Sequence, residues 1–234
     1  MHRRQVNALF LSMTASSLAV FHGAASAQSS GPLSNLEVSQ GLKTALEQGA
    51  RSAIGLLGRP DGFLGNDRVR IPLPGYLQDA AKLLRTFGQG ARLDELVNAM
   101  NHAAEAAVPL AQDTLVSAVK SMSFQDARAI LGGGDTSVTQ FFADKTRQPL
   151  SQKFLPVVTK TTTQVNLAEK YNQVAGKAAS MGLIKEDQVS IERYVTDKTL
   201  DGLYLMIGEE EKKIRKDPVG TGSALLQKVF GSLK

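Results

Sequence analysis

Ser117-Ala118-Val119-Lys120 sets a hydroxyl and an amine one helical turn apart, the spacing at which a lysine can take the proton of a serine nucleophile. Acyl-transferases that use this pair draw Ser-Asp-Asn and Lys-Thr-Gly partners from a mixed α/β fold. Here Lys145-Thr146 and Lys198-Thr199 lack the glycine, so two polar residues on a solvated helix face are the favoured reading. Glu95, Asn98, His102 and Glu105 step by three, four and three and share a stripe of one helix. A carboxylate can orient an imidazole for proton transfer, yet the sequence sets no serine or cysteine nucleophile beside it. A polar face with local pairing is favoured, and no catalytic residue is assigned. Gly132-Gly133-Gly134-Asp135-Thr136 can cradle a phosphate only if it opens a helix with free backbone donors. It lacks the Gly-Lys-Thr/Ser ending of a nucleotide loop, and Asp135 repels an anion, so it reads as a break between helices. Glu209-Glu210-Glu211, followed by Lys212, Lys213, Arg215 and Lys216, has no histidine for a bridged-metal bundle. Pairing of Glu209 with Lys213 and of Glu211 with Arg215 makes it a solvated, self-paired helix end.

The stretch from Arg59 to Arg92 is richer. Arg59, Arg68, Arg70, Lys82, Arg85 and Arg92 face only Asp61, Asp67 and Asp79. Pro72 and Pro74 force the residues before them into extended geometry, so residues 68–75 read as an extended arm on a helical body. Charge beside such an arm suits an anionic lipid headgroup or an acidic envelope component. Arg59, Arg68, Arg70, Lys82 and Arg85 are the candidate contacts. No aromatic stacking platform accompanies them, which argues against nucleic acid.

Several elements must position these groups. Residues 1–27 read as a cleaved signal peptide: a basic head (His2, Arg3, Arg4), an apolar segment from Val6 to Phe21, and an Ala25-Ser26-Ala27 site before Gln28. Loss of Arg3 and Arg4 lowers the net charge from +5 to +3. Cysteine is absent, which removes disulfides, thiolate metal sites and a lipid anchor at the cleavage point. After processing His102 is the sole histidine, so a multi-histidine metal site cannot be built. No metal and no cofactor is expected.

Residues 28–33 form a polar lead-in and 34–234 a single helical domain. Ser34 with Glu37 starts the first helix through a reciprocal cap, and Gly58 ends it as a left-handed stop. Helical spacing resumes over 76–87 and 93–107, ending the first of these at Gly88 and Gly90. Pro109 restarts the chain before 110–122, and Ser123 caps a short helix up to Gly132. Asp135 or Thr136 caps the next, Pro149 opens another, Asn166 with Glu169 caps a further one, and a long helix spans about 191–216. A last helix carries Leu225, Leu226, Val229 and Phe230. Period-two alternation is nowhere sustained, so the fold class is all-α, with roughly nine helices, one extended Pro-containing segment and no transmembrane helix in the mature chain.

Pro60-Asp61-Gly62-Phe63-Leu64, Val69 through Gly75, Leu93-Asp94-Glu95-Leu96 with Met100-Asn101, and the Leu131–Asp135 break together resemble the exported bacterial proteins grouped as domain of unknown function 4197. Asp201-Gly202-Leu203, Glu209–Lys212, Asp217–Gly220 and Leu225–Gly231 extend the resemblance over nearly the whole mature chain. It implies an exported address and carries no chemistry. Some similar proteins look like lipoproteins; this chain lacks their cysteine. Similar sequences often read Met-Asn-Arg where this one has His102, which weakens a general catalytic role for the imidazole.

The leading expectation is a non-catalytic, exported binding or interaction protein of the bacterial envelope, periplasmic or secreted and not lipid-anchored. One alternative is a periplasmic carrier of a lipid or other hydrophobic ligand in a groove lined by Phe141, Phe142, Phe154 and Leu155. The other is a hydrolase-type enzyme using Ser117 or His102.

Overall fold

A computed structural model of the chain describes residues 34–88, 90–134, 136–164, 168–172 and 190–217. The signal segment, the Asn166 cap and the final helix expected at 225–230 lie outside the described residues.

Helix formation follows local rules at most boundaries. Ser34 caps α1 (Asn35–Leu57): its hydroxyl accepts from the Glu37 N–H, and the Glu37 carboxylate accepts from the Ser34 N–H at 2.8 Å. Ser123 and Asp126 repeat the arrangement at the start of α5 (Phe124–Gly132). There the Ser123 backbone N–H, followed by its hydroxyl, holds the Asp126 carboxyl below its ordinary range. Gly58 departs from expectation, since it ends α1 with φ −81° in the right-handed region. Helix α2 (Gly75–Thr86) stops at Gly88, whose φ of 74° is left-handed. Gly90 opens α3 (Gly90–Ala107) rather than closing α2. Pro109 sits in a 3-10 turn, Val108–Ala111, that leads into α4 (Gln112–Lys120). The next helix has Thr136 at its cap position, without a side-chain capping bond.

Among the described residues two long helices form the most extensive helix–helix contact of the core. Helix α6 (Ser137–Thr162) runs unbroken through Pro149 and Pro156, so the new helix expected at Pro149 does not form. Both prolines are exposed, and each would have donated to a carbonyl of an exposed residue, Lys145 or Gln152. Water can satisfy those carbonyls, which lowers the usual cost of an interior proline. This merging leaves fewer helices among the described residues than the nine expected. The class is all-α, with no strand among the described residues.

Helix α6 packs against α7 (Ile191–Lys216), with α1 and α3 on the flanks and α4 and α5 beside α6. Phe142, Leu150, Phe154 and Val158 of α6 meet Val195, Leu200, Leu203 and Ile207 of α7 in one fully buried cluster. Burial of each such side chain is worth about 1.5–3 kcal/mol. Phe142 and Phe154 are thus closed into the core, with Phe141 nearly so and Leu155 half-buried. Gly208 makes the close approach possible, because a Cβ there would lie 2.7 Å from the Thr139 hydroxyl. Among the described residues no helix is long and apolar enough to cross a membrane.

Candidate functional site

Between α1 and α2 the chain turns twice and then extends. Asp61 takes a left-handed φ of 60°, a conformation aspartate tolerates better than most residues. Gly62 follows where a Cβ would sit 2.4 Å from the Leu57 carbonyl oxygen, so only glycine fits. The reversal drives Phe63 into the core, where it is fully buried. The Asn66 carbonyl accepts from the Val69 and Arg70 N–H groups at 3.0 and 2.8 Å. Residues 67–69 therefore belong to a turn, and the extended part is Ile71–Pro74, shorter than expected. Ile71 and Leu73 point inward while Pro72 stays exposed, the alternation that extended geometry imposes, and the turn before them buries Val69 while Arg68 and Arg70 stay exposed.

The arm occupies a groove between α3 and α7. Asn101, fully buried on α3, accepts from the Ile71 N–H at 2.8 Å and donates to the Ile71 carbonyl at 3.0 Å. Its side-chain amide thus replaces a neighbouring strand. Glu105, one turn further and also buried, accepts from the Phe63 and Leu64 N–H groups at 3.0 and 3.2 Å. Its second oxygen meets His102 Nδ1 at 2.9 Å. From α7, the Tyr194 hydroxyl donates to the Pro72 carbonyl at 3.0 Å, and Glu209 pairs with Arg68 at 2.9 Å. Burial pushes the Tyr194 phenol up, keeping it a donor. Gly202 makes room for the arm, since a Cβ there would lie 2.9 Å from the Phe63 ring. Prolines lack an N–H, and the Ile71, Pro72 and Leu73 carbonyls are all taken. The arm is therefore not a free edge for strand addition.

The five candidate cations separate into distinct environments. Arg68 is bound to Glu209, whose carboxyl is held below its usual range first by that hydrogen bond. Arg85 is bound to Asp94. The Arg85 hydrogen bond, then the charges of Arg85 and Arg70, hold the Asp94 carboxyl down. The guanidinium groups of Arg70 and Arg59 are exposed and make no hydrogen bond or ion pair with a described residue. The side chain of Lys82 lies outside the described residues.

Other sequence candidates resolve differently. Within the polar cluster, His102 pairs with Glu105 alone; no hydrogen bond joins it to Glu95 or Asn98, which are both exposed. Ser117 and Lys120 are exposed on α4, and no hydrogen bond links them. The acidic run of α7 does pair with itself, Glu209 with Lys212 at 3.6 Å and Glu210 with Lys213, at i to i+3 instead of the expected i to i+4, but it is more than a solvated end. Glu209 reaches the arm, Glu210 accepts from Ser52 of α1 at 2.7 Å as well as pairing with Lys213, and Glu211 is buried. Among the described residues no three His, Asp or Glu side chains gather as a metal set. Sequence reasoning missed Asn101 as an anchor, although it stands beside the buried stripe of Leu93, Leu96, Met100 and Ala104. A polar residue so placed is itself a signal of a buried hydrogen-bond network.

Residues that match the expected resemblance thus hold this arm: Asn101 follows Met100, Gly202 sits in Asp201-Gly202-Leu203, and Glu209 opens the acidic run. No curated protein and no solved structure matches the chain. The family described as protein of unknown function DUF4197 matches residues 32–231, and the chain belongs to it.

Proposed function

We propose that this protein is a non-catalytic binding module exported to the bacterial envelope, whose arm presents cationic side chains to an anionic surface. Arg70 carries the reading. Its guanidinium is exposed and in no hydrogen bond or ion pair with a described residue, Asp94 feeling its charge only through space, while the backbone beneath it is tied to Asn101 and Asn66. A guanidinium on a fixed backbone loses little freedom when it meets a phosphate, and its fork matches two oxygens at once. Arg59, also exposed and unpaired, adds a second cation. Arg68 and Arg85 are spoken for by Glu209 and Asp94.

Cosedimentation with phosphatidylglycerol vesicles tests the idea. Arg59→Ala with Arg70→Ala should weaken binding about five-fold per arginine, from about 1 kcal/mol for each cation at an anionic surface. Wild-type binding should fall as salt rises. Arg68→Ala should change binding less, because Glu209 already holds that guanidinium. Binding that is absent at low salt, or indifferent to the double substitution, would sink the proposal.

A further inference from the structure

We infer a second ligand site, separate from the arm, in the cleft between the first two turns of α1 and helix α5, suited to a single-chain fatty acid. The cleft is open to solvent and has a volume of about 460 Å³, within the range of about 300–1,000 Å³ usual for small-molecule sites. Val38, Phe124, Ala127 and Leu131 give it an apolar lining, and Asn35 and Ser39 add neutral polar groups. Phe124 is 39% exposed, a large ring left partly in water at the cleft.

Charge selects the ligand. Among the described residues Arg128 is the one ionisable group in the lining, and no carboxylate accompanies it there. Its guanidinium stacks over the Phe124 ring at 5.8 Å and makes no hydrogen bond or ion pair with a described residue. Glu37, on the same part of α1, is engaged by the Ser34 cap and does not line the cleft. A lone cation with free donors beside a cleft whose remaining lining is apolar or neutral polar complements one carboxylate on one alkyl chain. The cleft on the other side of α5 makes the contrast: Asp126, Asp144 and Lys145 rim it with both signs of charge, so it selects no such ligand.

Helix α5 is suited to adjust around an acyl chain. It buries only Ala127 and Ile130 and has a cleft on each side. Few buried apolar contacts mean that local opening costs less here than in the long helices α6 and α7.

Calorimetric titration of the full-length protein with sodium dodecanoate, below its micelle concentration, is the test. One saturable site is expected. Arg128→Gln should weaken it about ten-fold, the loss of a hydrogen-bonded charge pair, while leaving dodecan-1-ol binding unchanged. Gly132→Phe should block both ligands; a Cβ at Gly132 meets nothing within 4 Å, so the ring can fill the cleft without disturbing the core. Arg70→Ala should leave dodecanoate binding intact, which separates this site from the arm. The inference fails if dodecanoate gives no saturable signal, or if Arg128→Gln and Gly132→Phe both bind it like wild type. It fails equally if sedimentation shows a dimer that Gly132→Phe disrupts and dodecanoate does not, since a second copy would then own the cleft.

Discussion

Asn101 and Glu105 do more for this protein than their side chains suggest, because each stands in for missing backbone. Asn101→Ala removes three hydrogen bonds and leaves both polar groups of buried Ile71 without partners. Unsatisfied buried groups cost about 1–3 kcal/mol each, so a loss of about 3 kcal/mol is expected. Urea unfolding should show it as a lower midpoint with an unchanged slope. Glu105→Ala strands the Phe63 and Leu64 N–H groups and should cost a similar amount. His102→Ala should cost less than about 1 kcal/mol, since the imidazole side chain is 51% exposed. Should His102→Ala prove as damaging as Glu105→Ala, the histidine and not the loop is what Glu105 serves. Glu209 adds a pH dependence. Its folded-state pKa is depressed by Arg68, so its contribution is present above the unfolded value of about 4.3 and is lost as pH falls through the folded one. Urea midpoints of wild type and Glu209→Gln should therefore differ at neutral pH and converge in acid. The polar stripe on α3 was legible from the sequence, but the partner of Glu105 was legible only in part. The pairing with His102 is local, whereas the bonds to residues 63 and 64 span about forty positions and belong to the tertiary fold.

Elements that close on themselves could be read directly, and elements defined by their neighbours could not. The caps at Ser34 and Ser123 depend on residues three apart, so their sequence pattern is nearly their structure. Pro149 looked like a helix start because the rule for interior prolines assumes a carbonyl with no alternative partner. Only the packing of α6 reveals that the affected carbonyls belong to exposed residues. The acidic run on α7 is legible only in part for the same reason. Local pairing is the sequence-level expectation and forms with Lys212 and Lys213, yet Glu209 also finds Arg68 and Glu210 also finds Ser52, 141 and 158 positions away. The turn into the arm offers a test at this scale. At Gly62, Ala would bring a Cβ within 2.4–2.7 Å of the carbonyls of Leu57 and Leu56, which are helical backbone and cannot yield cheaply. Gly62→Ala should destabilise by about 1–3 kcal/mol, although it gains rigidity in the unfolded chain. At Gly55, where a Cβ meets nothing within 4 Å, Ala should stabilise by about 0.5–1 kcal/mol through helix propensity. Thermal melts of the two variants should move in opposite directions; movement together would mean that the turn after α1 adapts.

Without a single cysteine, the whole molecule must hold its shape without disulfides. The described core is continuous from α1 through the arm to α7, and the arm contributes Phe63, Val69, Ile71 and Leu73 to it. An arm so embedded cannot detach as a unit without opening the α3–α7 groove, so it should melt with the helices in one transition. Proteolysis offers a direct check, because a separable arm would be nicked at Arg68 or Arg70 under native conditions, where cleavage tracks the open population. Trypsin should instead spare both sites until the denaturant concentration at which helicity is lost. The same reasoning bears on the amino terminus. A signal of the kind read in residues 1–27 is removed on export, and among the described residues the buried cluster begins at Leu42. The protein recovered from the envelope should therefore begin at Gln28. Its melting temperature should match that of full-length protein and should not respond to thiol reagent or chelator. Recovery with Met1 still attached would refute the export reading, and a fall of several degrees with chelator would reveal an oxygen-ligand cation site that helps to hold the fold.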